Sequence, residues 1–107
     1  MSVTRRDHQI AEELKRRISA TVRLVDFRVF GSRARGDADE DSDMDVFMEV
    51  ERIDEELKRK IQEVAWEVGF EHLLHISPLV FTRHELEETP LRSSFIVQNI
   101  VEEGVEV

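Results

Sequence analysis

Val29 to Val50 reads VFGSRARGDADEDSDMDVFMEV, and how that stretch divides decides the fold. Met44, Val46, Met48 and Val50 alternate with Asp43, Asp45, Phe47 and Glu49, the period of two of a half-buried strand. Upstream, Arg23 to Phe30 has the same period, with Val25, Phe27 and Val29 on one face, and stops at Gly31. Residues 31–42 are small, polar and charged, so they form a loop with room for one helical turn.

The second strand carries the chemistry. Asp43 and Asp45 are two residues apart and project from one face, while Met44 and Val46 point to the core. Side-by-side carboxylates repel one another unless a cation or hydrogen bonds compensate. Oxygen donors suit Mg²⁺, which takes one or two carboxylates and completes its shell with water and substrate phosphates. A D-x-D pair alone is more often a solvated strand end, and the preceding turn is what favours a site. Gly31 lets a ligand approach the backbone, and a helical turn starting at Ser32 presents free amides and a hydroxyl to an anion. Arg33 and Arg35 add nearby cations. A phosphate cradle followed within about a dozen residues by paired carboxylates predicts a nucleoside triphosphate site. The alternating Asp37, Asp39, Asp41, Asp43 and Asp45 do not make a calcium loop: the places that require glycine and glutamate hold Ser42 and Met48.

Outward from this stretch, residues 4–19 predict an amphipathic helix with Ile10, Leu14 and Ile18 on its apolar face. A second helix is expected from Asp54 to Val68, stopped by Gly69. Phe70 to Phe81 reads as a third strand, with Pro78 at an edge or bulge. Thr82 to Glu85 fits a capping box and Thr89-Pro90 a helix start, so helices should begin near 83 and 90, the last running from Leu91 to Val101. The ending GVEV is a short strand or a frayed tail. Trp66 falls beside the apolar stripe of the second helix, to cover the core edge or meet a partner. The element order predicts an α/β (α+β) fold, a small sheet with helices packed on it.

Composition narrows the function classes. One domain over 1–107 is expected from the length. The net charge of −9 argues against direct nucleic-acid binding through a basic surface. The charge is uneven: residues 1–36 hold nine Lys/Arg and four Asp/Glu, residues 37–107 six and twenty. Without cysteine there is no disulfide framework, thiolate zinc site or cysteine nucleophile. His8, His72, His75 and His84 share no zinc spacing on one helix, and Ser77 lacks a recognisable triad. No apolar run suits a membrane span and no secretory pattern opens the chain, so a soluble, cytoplasmic protein is expected.

Gly31-Ser32-Arg33-Ala34-Arg35-Gly36, then Ser42-Asp43-Met44-Asp45-Val46, resembles the GS-x-x-x-G…SD-x-D-hydrophobic signature of the polymerase-β-like nucleotidyltransferases. The short chain is similar to their minimal branch, often encoded beside a HEPN-domain partner. The resemblance implies a polymerase-β-like mixed sheet in which Gly31-Ser32 ends one strand and Asp43-x-Asp45 begins its antiparallel neighbour. It implies nucleotide binding by Gly31, Ser32, Arg33, Arg35, Gly36 and Ser42, with ATP as substrate. Asp43 and Asp45 would be catalytic and would ligate Mg²⁺ or Mn²⁺. The family's third carboxylate, on a later strand, is not evident: the candidate places hold His75 and Ser77, and Glu71 at the strand's entrance is the one acid that could serve as a further metal ligand.

Two readings follow from the resemblance. In the first, the chain transfers AMP to a hydroxyl, such as a tyrosine of a HEPN toxin, and acts as antitoxin. Its acceptor surface would come from that partner or from a second copy in a homo-oligomer. In the second, it is a weakened nucleotide-binding module that restrains its partner by contact.

Overall fold

The computed structural model describes residues 3–107. Helix α1 (Arg5–Ser19) starts at Thr4, whose side chain accepts the Asp7 amide, and buries Ile10, Ala11, Leu14 and Ile18. Strand β1 (Leu24–Phe30) follows, then a single turn α2 (Ser32–Arg35), strand β2 (Met44–Val50), helix α3 (Glu55–Glu71) and strand β3 (Ile76–Thr82). The chain closes with α4 (Arg83–Glu88), a 3-10 turn over Pro90–Ser93, α5 (Phe95–Glu103) and β4 (Val105–Glu106).

The sheet runs β3-β2-β1-β4. β1 is antiparallel to both β2 and β4, whereas β2 and β3 are parallel. The sheet is therefore mixed, and Gly31 and Asp43 lie at the same end of the β1–β2 pair. α1 and α3 supply one wall of the core: Ile10, Leu14, Ile18, Ile61, Ala65 and Val68 pack with Phe27, Val29, Val46 and Met48. Met44, Val46, Met48 and Val50 are fully buried, as the alternation requires. The opposite face carries Asp45, Phe47 and Glu49, and the Phe47 ring lies 5.9 Å from that of Phe81.

Four expectations need correction. In β1 the register shifts between Leu24 and Asp26, a bulge that re-phases the strand. Leu24 consequently packs on the core, while Val25 is exposed rather than aligned with Phe27 and Val29. The third strand does not begin at Phe70: residues 70–71 complete α3 and 72–75 turn, with Leu73 at φ +58°. Gly69 is not the stop of α3 but lies inside it, where the Leu74 amide donates back to its carbonyl at 2.9 Å. The last helix starts at Phe95, since the Ser94 hydroxyl accepts the Val97 amide and the preceding residues form the 3-10 turn. The capping box of Thr82 and Glu85 and the short strand in GVEV are both present. Trp66 covers no core; it is 64% exposed and stacks on Phe70. Among the described residues, no helix is long and apolar enough to cross a membrane.

Candidate functional site

At the end of β1 the chain turns through two glycines. Gly31 has φ 75° and ψ −154°, a conformation that side chains strongly disfavour, and Gly36 closes the turn in the left-handed region at φ 87°. Between them, the Ala34 and Arg35 amides donate to the Gly31 carbonyl, and the Gly36 and Asp37 amides to that of Ser32. The first amides of such a turn have no acceptor within it, and Gly31 has no side chain to cap them.

Asp45 lies against this turn. Phe30 pairs with Asp45 across the ladder, and a Cβ built on Gly31 would stand only 2.5 Å from Asp45 Oδ2. The glycine is thus needed twice, for its backbone angles and for the space that the carboxylate fills. Asp43 sits one residue before β2, and its Oδ1 is 3.5 Å from His75 Nδ1. The backbone couples the same two segments, with the Met44 amide donating to the His75 carbonyl at 2.9 Å.

The electrostatics are unbalanced in a particular direction. Among the described residues, no Lys or Arg nitrogen lies within 4.0 Å of either carboxylate. Burial, then the neighbouring Asp43 charge, push the Asp45 carboxyl above its ordinary range, opposed by Arg35 and His75. Two adjacent carboxylates with no Lys or Arg paired to them form a donor set that fits a divalent metal ion.

The other expected residues divide by role. Arg33 is buried and turned inward: Nη1 reaches Asp7 Oδ1 at 2.9 Å and Oδ2 at 3.1 Å, while Nε and Nη2 donate to the Ser42 carbonyl. Ser42 likewise serves the loop, its hydroxyl accepting the Asp39 amide and donating to Asp39 Oδ1. Arg35 is exposed at the rim and pairs with Asp37 and Glu103. Glu71 lies in the last turn of α3 rather than on a strand, with its carboxylate 3.4 Å from Arg17. It belongs to a separate group, Glu13, Glu71 and His72, whose donor atoms lie within 4.8 Å of one another. Arg17 also reaches Glu13 and Glu67 there, so this cluster carries its own cation. The register sets Ser77 beside Asp45, which puts a neutral hydroxyl on the strand neighbouring the carboxylate pair.

Two residues gain importance from the structure. Asp7 anchors the glycine turn through Arg33, although the sequence marks it only as an acid in the first turn of a helix. His75 contacts Asp43, which the alternation could have suggested only with the β3 register in hand. A cleft of about 600 Å³ opens behind the loop beside Arg6, Asp39 and Leu73, but the aspartate pair does not line it.

Residues 8–107 match the family model described as a nucleotidyltransferase domain. The chain is 34% identical over 102 residues to a Methanocaldococcus jannaschii protein named "Putative protein adenylyltransferase", a match covering 92% of this chain and 96% of the other. Its fold is similar to a chain of a toxin–antitoxin crystallised with AMP-PNP, with TM-score 0.60 and 19% identity over 89% of this chain and 70% of that one. A mutant of the toxin–antitoxin MntA-HpeT gives TM-score 0.57 and 18% identity, covering 94% and 70%. A nucleotidyltransferase structure from Sulfolobus solfataricus, itself assigned only provisionally, gives 0.51 and 19%, covering 92% and 76%.

Proposed function

This chain belongs to the nucleotidyltransferase-domain family, and on that premise we propose that it transfers AMP from ATP to a hydroxyl of a partner protein. The partner is a toxin of the HEPN type and the acceptor a tyrosine, so that the modification silences the toxin. The observation that carries the reading is the placement of Asp45 against Gly31, with Asp43 beside it and, among the described residues, no Lys or Arg paired with either.

The roles follow from charge and position. The amides of the Ser32 turn and the Ser32 hydroxyl bind phosphate oxygens, and Arg35 at the rim adds positive charge. Asp43 and Asp45 would hold Mg²⁺ or Mn²⁺, which supplies charge neutralisation and orientation when bound. Arg33, fixed by Asp7 and the Ser42 carbonyl, keeps the turn and the carboxylates in register and does not face the nucleotide. In the transfer, the acceptor oxygen bonds to the α-phosphorus as the bond from that phosphorus to the α,β-bridging oxygen breaks. Pyrophosphate leaves with the electron pair and the hydroxyl proton is released to solvent. Little covalent work falls to the protein, and positioning carries the rate.

Ser77 favours a second reading. The strand beside the carboxylate pair presents a hydroxyl rather than an acid, which suits a module that binds nucleotide and restrains its partner by contact. Label transfer separates the two. With ATP labelled on the α-phosphate, the wild type should mark a protein in a cell extract covalently. The Asp43→Asn, Asp45→Asn variant should not, nor should ATP labelled on the γ-phosphate. No covalent label from the α-position would favour the restraining module.

A further inference from the structure

We propose that His75 completes the Asp43–Asp45 pair as a third, nitrogen donor, making a mixed oxygen–nitrogen site that takes Mn²⁺ in preference to Mg²⁺. The inference rests on the nucleotidyl-transfer reading and concerns which ion serves that site.

The placement comes from the parallel ladder. Met44 pairs with Ile76 and Asp45 with Ser77, so one step back along both strands sets Asp43 beside His75. The Met44–His75 backbone bond fixes that step. Side chains at 43, 45, 75 and 77 share one face of the sheet, because neighbouring positions across a ladder point the same way. Of the two residues that β3 offers there, Ser77 is short and neutral, whereas His75 has a strong donor nitrogen already 3.5 Å from Asp43 Oδ1. Its side chain is 68% exposed, so rotation of the ring is not blocked by packing. Some rotation is required: the donor atoms of the three residues do not all fall within 4.8 Å of one another, as those of Glu13, Glu71 and His72 do. That other group already holds Arg17, while among the described residues the Asp43–Asp45 pair has no Lys or Arg to displace.

Donor chemistry then sets the ion. Mg²⁺ favours oxygen and keeps its waters, whereas a nitrogen donor shifts preference toward first-row transition ions, of which Mn²⁺ is the one that also suits carboxylate and phosphate oxygen. A third carboxylate in place of His75 would remove the advantage of Mn²⁺.

The test is pulsed electron paramagnetic resonance of Mn²⁺ bound to the full chain with unlabelled ATP, using protein carrying ¹⁵N-histidine. Only a directly bound imidazole of the protein gives strong ¹⁵N coupling, and adenine nitrogen cannot imitate it. The expected result is ¹⁵N coupling in the wild type that disappears in both His75→Ala and His75→Asp. His75→Asp should also lower the ratio of Mn²⁺ to Mg²⁺ affinity, since it replaces the nitrogen donor by oxygen. Mn²⁺ that binds with ATP through Asp43 and Asp45 but shows no ¹⁵N coupling overturns the role of His75 and leaves nucleotide transfer standing. Absence of any Mn²⁺–ATP complex in the wild type overturns both.

Discussion

Arg33, within the glycine turn, is clamped by Asp7 of α1 through two hydrogen bonds of 2.9 and 3.1 Å to one guanidinium nitrogen. Both residues are buried, at 7% and 3% exposure. The pair joins the first helix to the loop that precedes Asp43, since the same guanidinium holds the Ser42 carbonyl. Removing one partner strands a buried charge, which costs roughly 3–5 kcal/mol. Asp7→Ala should therefore lower stability in urea by about that amount and weaken ATP binding without touching nucleotide. Replacing both residues by apolar ones of similar volume should recover most of the stability. A loss below about 1 kcal/mol for Asp7→Ala, the size of an exposed pair, would contradict this role.

Gly31→Ala meets two obstacles. The backbone angles of φ 75° and ψ −154° cost a side chain roughly 1–3 kcal/mol, and the new Cβ would stand 2.5 Å from Asp45 Oδ2. The variant should be destabilised and should lose ATP affinity as Asp45 is displaced. Wild-type affinity in Gly31→Ala would show that Asp45 can leave the glycine freely.

Asp45 links the site to stability. A carboxyl whose folded pKa exceeds its unfolded value binds more protons in the fold, so its contribution falls as pH rises through that window. For Asp45 the window opens near 3.8 and extends upward. In the absence of metal, Asp45→Asn should raise the melting temperature at pH 7, because it removes a half-buried charge that its surroundings disfavour. The gain should shrink as pH falls toward 3.8, where wild-type Asp45 is itself becoming neutral. Melting curves of both proteins across this range check it, and a gain that grows on acidification would reverse the sign.

Gly69→Ala reverses the usual rule. Within a helix, alanine is favoured over glycine by about 1 kcal/mol. Here a Cβ would meet the Leu74 carbonyl oxygen at 2.5 Å, and that contact is backbone. The substitution should destabilise the protein and disturb the turn leading to His75. A higher melting temperature for Gly69→Ala would mean that this turn yields easily.

What the sequence made legible was local. The alternation in Met44 to Val50 shows which face holds Asp43 and Asp45, and two glycines around Ser32 mark a turn with positive φ angles. What escaped depends on distant contacts. Arg33 reads as a phosphate ligand until Asp7, 26 positions away, is seen to hold it. Glu71 reads as a strand acid because the apolar run through Phe81 conceals a helix end at residue 71. The bulge at Leu24 and Asp26 follows from pairing with β2, which no pattern within β1 encodes.

We propose that Asp43 and Asp45 form, with the glycine turn, a metal-dependent nucleotide site. Calorimetric titration of ATP with and without divalent metal, on wild type and on Asp43→Ala, Asp45→Ala, tests it most directly. Binding is expected in the wild type only with the metal, and is expected to be lost in the variant. Equal binding by both proteins, or no binding to the wild type at millimolar ATP, would contradict it.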